Sequence, residues 1–235
     1  MIPATVTTDS SRSATVPVVR DLAAYDVAVA ADLHHQCLPE GFFAKLGVPF
    51  LNTYYGCFAR SPWAVCLLAE VGGRPAGILV GATDSWQNYR FLARRCGWRL
   101  ALSGLPALAA RPGLALWFMR TRFRRYARGL VRLIIRRWPR PTMGSPTPSA
   151  VGSSDQEGLL VHIAVAPGLR RNGVGRALVE AFQDAARTRG VTRLRLLASA
   201  DDESVGLFYE SMGWRPGGQV VDADSRRWTR FARHL

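Results

Sequence analysis

Arg170-Arg171-Asn172-Gly173-Val174-Gly175-Arg176-Ala177-Leu178 is the stretch that decides how this chain is read. It follows an apolar, β-patterned run, Gly158 to Val165 (GLLVHIAV), and it opens an amphipathic helix running to Arg189. The first turn of a helix leaves backbone N–H groups without intrahelical partners, and these sit at the positive end of the helix dipole. A diphosphate needs several such donors aimed at one point. Gly173 and Gly175 lack the Cβ atoms that would hold a phosphate away, and Arg170, Arg171 and Arg176 add longer-range attraction for a polyanion. A G-x-G-x-x-G dinucleotide fingerprint and a P-loop ending in G-K-[ST] are both absent from the chain.

Working outward, Val191 to Ser199 alternates as a strand and Glu203 to Met212 reads as a short helix punctuated by Gly213-Trp214. Gln219 to Asp222 and Arg226 to Ala232 form a terminal hairpin about Asp222 to Ser225. Upstream, Val16 to Arg20 is a first strand and Leu22 to Cys37 a helix that Pro39 and Gly41 break. Phe42 to Cys57 is again helical, with Pro49 demanding a kink or a division into two shorter helices. Trp63 to Val71 and Ala76 to Ala82 flank Gly72-Gly73-Arg74-Pro75, which is a hairpin signal. Strands and helices in this order make an α/β protein.

The strand LLVHIAVAP, then R-x-x-G-x-G at Arg170 to Gly175 with the helix ALVEAF, then LRLLAS, then SVGLFYESMGW, resembles the GNAT superfamily of coenzyme A dependent N-acetyltransferases. The match covers roughly residues 159 to 214 and carries two family motifs in order, the second at Leu207 to Trp214. The resemblance implies a GNAT acyl-CoA N-acyltransferase fold, a mixed central sheet flanked by helices. It also implies acetyl-CoA as cosubstrate and a primary amine as acceptor. Ile163, Ala164 and Val165 would pair with pantetheine and offer one N–H to the thioester oxyanion. Arg170, Arg171, Asn172, Gly173, Val174, Gly175 and Arg176 would cradle the pyrophosphate. Tyr209 stands where many members protonate the departing thiolate. Asp202 stands where the family often has an Asn on the pantetheine arm; an ionised carboxylate accepts but cannot donate, so positioning there would differ.

Attack on a thioester requires a neutral amine, hence a base. His162 on the coenzyme strand and Glu40 in Leu38-Pro39-Glu40-Gly41 are the leading candidates, with Asp84, His34 and His35 behind them. Strict alternation sets His162 on the opposite face from Val161, Ile163 and Val165.

The formal charge of +14 is localised: residues 86 to 154 hold 14 Arg and no Asp, Glu or Lys, leaving 17 basic and 17 acidic residues elsewhere. This stretch reads as a basic helical insertion between the third and fourth strands, with breaks at Gly104 to Pro106 and Arg111 to Gly113 and a flexible loop at 139 to 154. An apolar run from Leu100 to Met119 is interrupted by Pro106, Arg111 and Pro112, against a membrane span. Arginines among Trp and Phe suit an anionic membrane surface through residues 86–140, with nucleic acid ranking last. Four separated cysteines and four histidines show no metal-ligand spacing, so no metal is expected. The first twenty residues lack an apolar h-region, which reads as cytoplasmic, with peripheral membrane contact open.

The expected organisation is a disordered terminus at 1–15, the first part of the GNAT domain at 16–85, the insertion at 86–154, and the coenzyme-binding part at 155–235. The leading reading is an acetyl-CoA dependent N-acetyltransferase. The alternative is a non-catalytic coenzyme A binding module whose basic surface engages membrane or nucleic acid. A homodimer stays open.

Overall fold

The computed structural model describes residues 16–120, 157–222 and 224–235. The expected terminal segment 1–15 and the loop at 139–154 lie outside the described residues. A seven-stranded sheet runs β1 (Val18–Asp21), β2 (Ala64–Val71), β3 (Arg74–Ala82), β4 (Glu157–Val165), β5 (Arg193–Ser199), β6 (Arg215–Val221) and β7 (Arg227–His234) in chain order. In space the order is β1-β2-β3-β4-β5-β7-β6. Every pairing is antiparallel except β4 with β5.

Two helical layers cover the sheet, each with its own apolar cluster. On one face, α1 (Val27–Cys37), α2 (Phe42–Lys45) and α3 (Val48–Phe58) bury Leu33, Phe50, Leu51, Tyr55 and Phe58 with Leu68, Ile78 and Val80 of the sheet. Pro49 falls in the first turn of α3, where its missing N–H costs nothing, and Gly47 supplies the positive φ of 88° that separates α2 from α3. The division into two shorter helices thus replaces a kink. On the other face, α7 (Val174–Thr188) buries Val174, Leu178, Val179, Phe182 and Ala186 on Leu79, Leu160 and Leu194. The short α8 (Glu203–Ser211) adds Tyr209 beside Trp214 and Phe231.

The β2–β3 hairpin closes through Gly72 and Gly73, both at positive φ, as a two-residue turn between right-twisted strands requires. Between β3 and β4 the chain forms α4 (Ser85–Phe91), a π-helical turn at Leu92–Cys96, α5 (Gly97–Ala110) and α6 (Pro112–Phe118). The break expected at Gly104 to Pro106 does not occur, because α5 runs through both residues and ends only at Arg111. Gly104 is buried there, facing Phe50 and Leu46. No helix among the described residues is long and apolar enough to cross a membrane.

Candidate active site

The site begins where the sheet comes apart. β4 and β5 pair only from Glu157 with Arg193 to Leu159 with Arg195, and β5 then stays with β7 while β4 stays with β3. From Leu160 to Val165, β4 therefore has no strand partner on its β5 side among the described residues. Ala166 N–H donates to Ala76 O, so antiparallel alternation turns Ala164 and His162 toward β3 as well. The N–H and C=O groups of Ile163 and Val165 consequently face the gap. Of the three strand residues singled out from the sequence, Ala164 is the one whose amide is engaged inside the sheet.

A register shift against β3 between Val80 and Gly81 adds a residue to β4, so Gly81 faces Leu160 while Val80 faces His162. This bulge corrects the strict alternation expected along the strand. Val161 and His162 both pack toward the α1–α3 layer, whereas Leu160, Ile163 and Val165 pack toward α7.

The gap opens at the C-terminal ends of β4 and β5, against the start of α7. Ahead of that helix, Arg171 (φ 65°) and Gly173 (φ 78°) take left-handed backbone conformations, with Asn172 between them. Left-handed geometry costs a non-glycine residue roughly 1–2 kcal/mol, so Arg171 marks a strained turn whose amides are gathered before the first turn of α7. Val174 is buried and anchors the helix, while the flanking Arg170, Arg171 and Asn172 are exposed. At Gly175 an added Cβ would come no closer than 3.6 Å to Phe208 and 3.8 Å to Val165. Packing within the protein therefore does not require glycine there, whereas close approach of a ligand would.

Arg170 folds back so that Nε donates to Val165 O at 3.3 Å. The Cys37 thiol at the end of α1 reaches the same carbonyl at 3.4 Å; burial pushes this thiol up, and the nearby Arg170 guanidinium pulls it down. Asp202 caps α8, accepting from Ser204 N–H at 3.0 Å and from the Ser204 hydroxyl at 2.6 Å. Those bonds hold its carboxyl below the usual range, with a smaller contribution from Arg170. Arg176 turns outward toward Glu180 (3.6 Å) and Ser211 (3.5 Å).

Tyr209 is buried against Phe208, Trp214 and Phe231, with ring centroids 5.0 to 5.9 Å away. Burial raises its phenol above the ordinary range, so it keeps its proton at neutral pH. His162 has His34, Phe43 and Tyr54 around its ring, and its Nε2 is enclosed without a hydrogen-bond partner among the described residues. Burial, then the neighbouring His34, lowers it to about 3. His34 Nδ1 meets the Tyr55 hydroxyl at 2.7 Å inside the same layer. Asp84 is the N-cap of α4, accepting from Gln87 N–H at 2.9 Å, and His35 is exposed on α1.

Glu40 lies exposed in the loop between α1 and α2, where Arg226 from the β6–β7 turn donates to its carbonyl oxygen at 2.7 Å. The two carboxylate neighbours, Arg226 and Lys45, stand 3.5 and 3.8 Å from Oε2. Sequence reasoning placed Glu40 but missed Arg226 and Cys37. A contact between residues 186 apart leaves no local pattern to read, and Cys37 is a single thiol in an amphipathic helix.

A splayed parallel pair, a bulged central strand and a glycine turn opening a helix thus meet around one gap in the sheet. Residues 147–216 match the family model described as acetyltransferase (GNAT) domain. This segment therefore resembles a GNAT acetyltransferase domain. The [ribosomal protein bS18]-alanine N-acetyltransferase of Salmonella typhimurium is 41% identical over 58 residues, 25% of this chain. The match spans only 39% of that relative's length. Among solved structures, the ribosomal-protein-S18-alanine N-acetyltransferase of Escherichia coli aligns over 94% of both chains at a TM-score of 0.51 and 14% identity. The ribosomal-protein-alanine N-acetyltransferase of Brucella melitensis aligns over 93% of this chain and 99% of its own at 0.56 and 13% identity. At those identities the likeness is one of fold, and the GNAT architecture extends from the matched segment to the N-terminal strands and helices.

Proposed function

We propose that this GNAT protein is an acetyl-CoA dependent N-acetyltransferase acting on a primary amine. The observation that carries the reading is the unpaired edge of β4 beside the glycine turn of α7. An extended pantetheine arm can add to that edge as a strand would, through Ile163 and Val165, with the diphosphate at the turn of Arg170 to Gly175. Acetyl-CoA supplies an activated acyl group on a good leaving thiol. An N–H of the β4 edge faces the oxyanion as the amine nitrogen bonds to the acyl carbon. The carbon–sulfur bond then breaks, Tyr209 gives its proton to the thiolate, and the second proton shed by the new amide nitrogen returns through water to the tyrosinate.

Glu40 takes the ammonium proton in this scheme, directly or through water. It is exposed to solvent, with Arg226 and Lys45 at 3.5 and 3.8 Å from its carboxylate. His162 fits that role poorly, since an imidazole whose conjugate acid forms only near pH 3 has little affinity for an ammonium proton. Asp202, occupied as a helix cap, shapes the start of α8 and so the placement of Tyr209.

The test is free-thiol release from acetyl-CoA with a panel of primary amines, run on the wild type and on Tyr209→Phe. Thiol release that depends on an amine, with turnover falling by about a hundredfold in the variant while coenzyme affinity holds, is the expected result. Coenzyme binding with no amine-dependent release would establish the non-catalytic reading instead. Equal turnover in the two proteins would remove Tyr209 from the mechanism.

A further inference from the structure

α5 and α6 each have one satisfied face. Leu100, Ala107 and Leu108 of α5 pack toward α3, and Leu114, Trp117 and Phe118 of α6 pack toward α2, with Phe42 centred 5.3 Å from Trp117 and 5.6 Å from Phe118. The opposite face carries the large apolar side chains the fold leaves outside. Trp98, Leu102 and Leu105 are 65%, 55% and 53% exposed, and they follow one another at helical spacing along α5. Leu116 and Met119 are exposed at and just beyond the end of α6. Soluble proteins rarely leave such a stripe to water unless something covers it.

Its border is cationic. Arg94 and Arg95 in the π-helical turn, Arg99 one residue past Trp98, and Arg111 between α5 and α6 are all exposed. None of them forms an ion pair among the described residues. Arg111 donates to Lys45 O at 3.0 Å, and Arg99 lies 5.9 Å from the Trp98 ring. No acidic residue occurs anywhere from 86 to 154, so the positive charge is not offset along the segment.

We propose that the outer face of α5 and α6 is an interfacial surface that seats this protein on anionic lipid bilayers. Leucine and tryptophan side chains enter the headgroup boundary while the bordering arginines meet lipid phosphates and carboxylates. Nucleic acid offers the same negative charge, but its phosphates gain nothing from aliphatic leucines, and base stacking requires aromatic platforms, of which this stripe has one. The helices lie too short and too interrupted to cross a bilayer, so the contact is peripheral. The packed face of α6 rests on Phe42, two residues from Glu40.

Flotation of the full chain with vesicles of phosphatidylcholine alone, and of phosphatidylcholine with phosphatidylserine, tests the proposal. Binding is expected to favour the anionic vesicles and to weaken as salt rises. Leu102→Glu with Leu105→Glu abolishes flotation, while Arg94→Glu with Arg99→Glu lowers the anionic preference by about fivefold or more for each arginine. All four positions are exposed, and unchanged circular dichroism and melting confirm that the variants fold. Absence of flotation, equal binding to both vesicle types, or wild-type flotation of the leucine variant each overturns it. So does tight binding of single-stranded RNA that outcompetes vesicles and ignores the leucine substitutions.

Discussion

A Cβ on Gly81 would stand 2.3 Å from the ring of Phe182, well inside contact distance, and 2.9 Å from Leu159 O. Gly81 lies on β3 opposite the β4 bulge, and Phe182 is fully buried at the centre of α7. Neither the ring nor the backbone carbonyl has room to retreat. Gly81→Ala is expected to cost about 1–3 kcal/mol through overpacking, read as a lower urea midpoint. Unchanged stability would mean that α7 does not press on the sheet as described.

Gly175 supplies the contrasting case, because an added methyl there meets only ordinary contacts of 3.6 Å or more. Gly175→Ala should leave the unfolding midpoint within about 0.5 kcal/mol of wild type. Coenzyme A affinity, measured by calorimetry, should fall at least several-fold. Loss of stability without loss of affinity would show that the glycine serves packing and not a phosphate.

Acid should unfold the protein through its paired histidines. Unfolded, each imidazole titrates near 6.5; folded, burial with a smaller effect of His35 holds His34 to about 4, and burial with a smaller effect of His34 holds His162 to about 3. Between those limits the unfolded chain binds more protons, so stability is complete above about pH 6.5 and drains away as pH falls toward 4 and 3. The slope approaches about 1.4 kcal/mol per pH unit for each histidine. Glu157, whose carboxyl burial pushes up, works in the opposite direction at the acid end. Urea midpoints should decline from about pH 7.5 to about pH 5, a range that spans the free imidazole value, and His162→Phe should flatten the decline.

Tyr55→Phe removes the hydroxyl that meets His34 Nδ1 at 2.7 Å and leaves a buried ring nitrogen unsatisfied. The expected loss is about 1–3 kcal/mol, with no change in coenzyme affinity. A neutral substitution would indicate that His34 finds another partner.

Arg226→Ala unties the β6–β7 turn from the loop holding Glu40. An exposed contact of this kind contributes little to stability, about 0–1 kcal/mol. The change should instead appear as a shift of several-fold in the amine KM, with the acetyl-CoA KM unaffected; the reverse pattern would place this loop at the coenzyme.

Much of this architecture was legible in residue order because its signals are local. The glycine pair at 72 and 73, the proline at 49 and the turn at Arg170 to Gly175 each fix backbone geometry within a few residues, and each element they predict occurs. The helical period of α7 was equally plain. What escaped were features set by distant packing. Pro106 sits inside α5, a helix that packs on α3 through Gly104, Leu100, Ala107 and Leu108, and no local rule anticipates that packing. The bulge that moves Val161 to the side of His162 arises from register against β3. The enclosure of His162 needed α1 and α3 in place, so the surroundings of that ring could not be read from its own strand.

The parting of β4 from β5 has a further consequence for how the protein endures in a cell. Its central layer is joined between these strands only from Glu157 to Leu159, so a molecule seated in the parting beyond would brace the two halves of the sheet further. A molecule that binds only the folded form raises its resistance to unfolding in step with its concentration. If the proposed acetyl-CoA is that molecule, its scarcity would shorten the lifetime of the protein, and metabolic supply would govern how much of it persists as well as how fast it works.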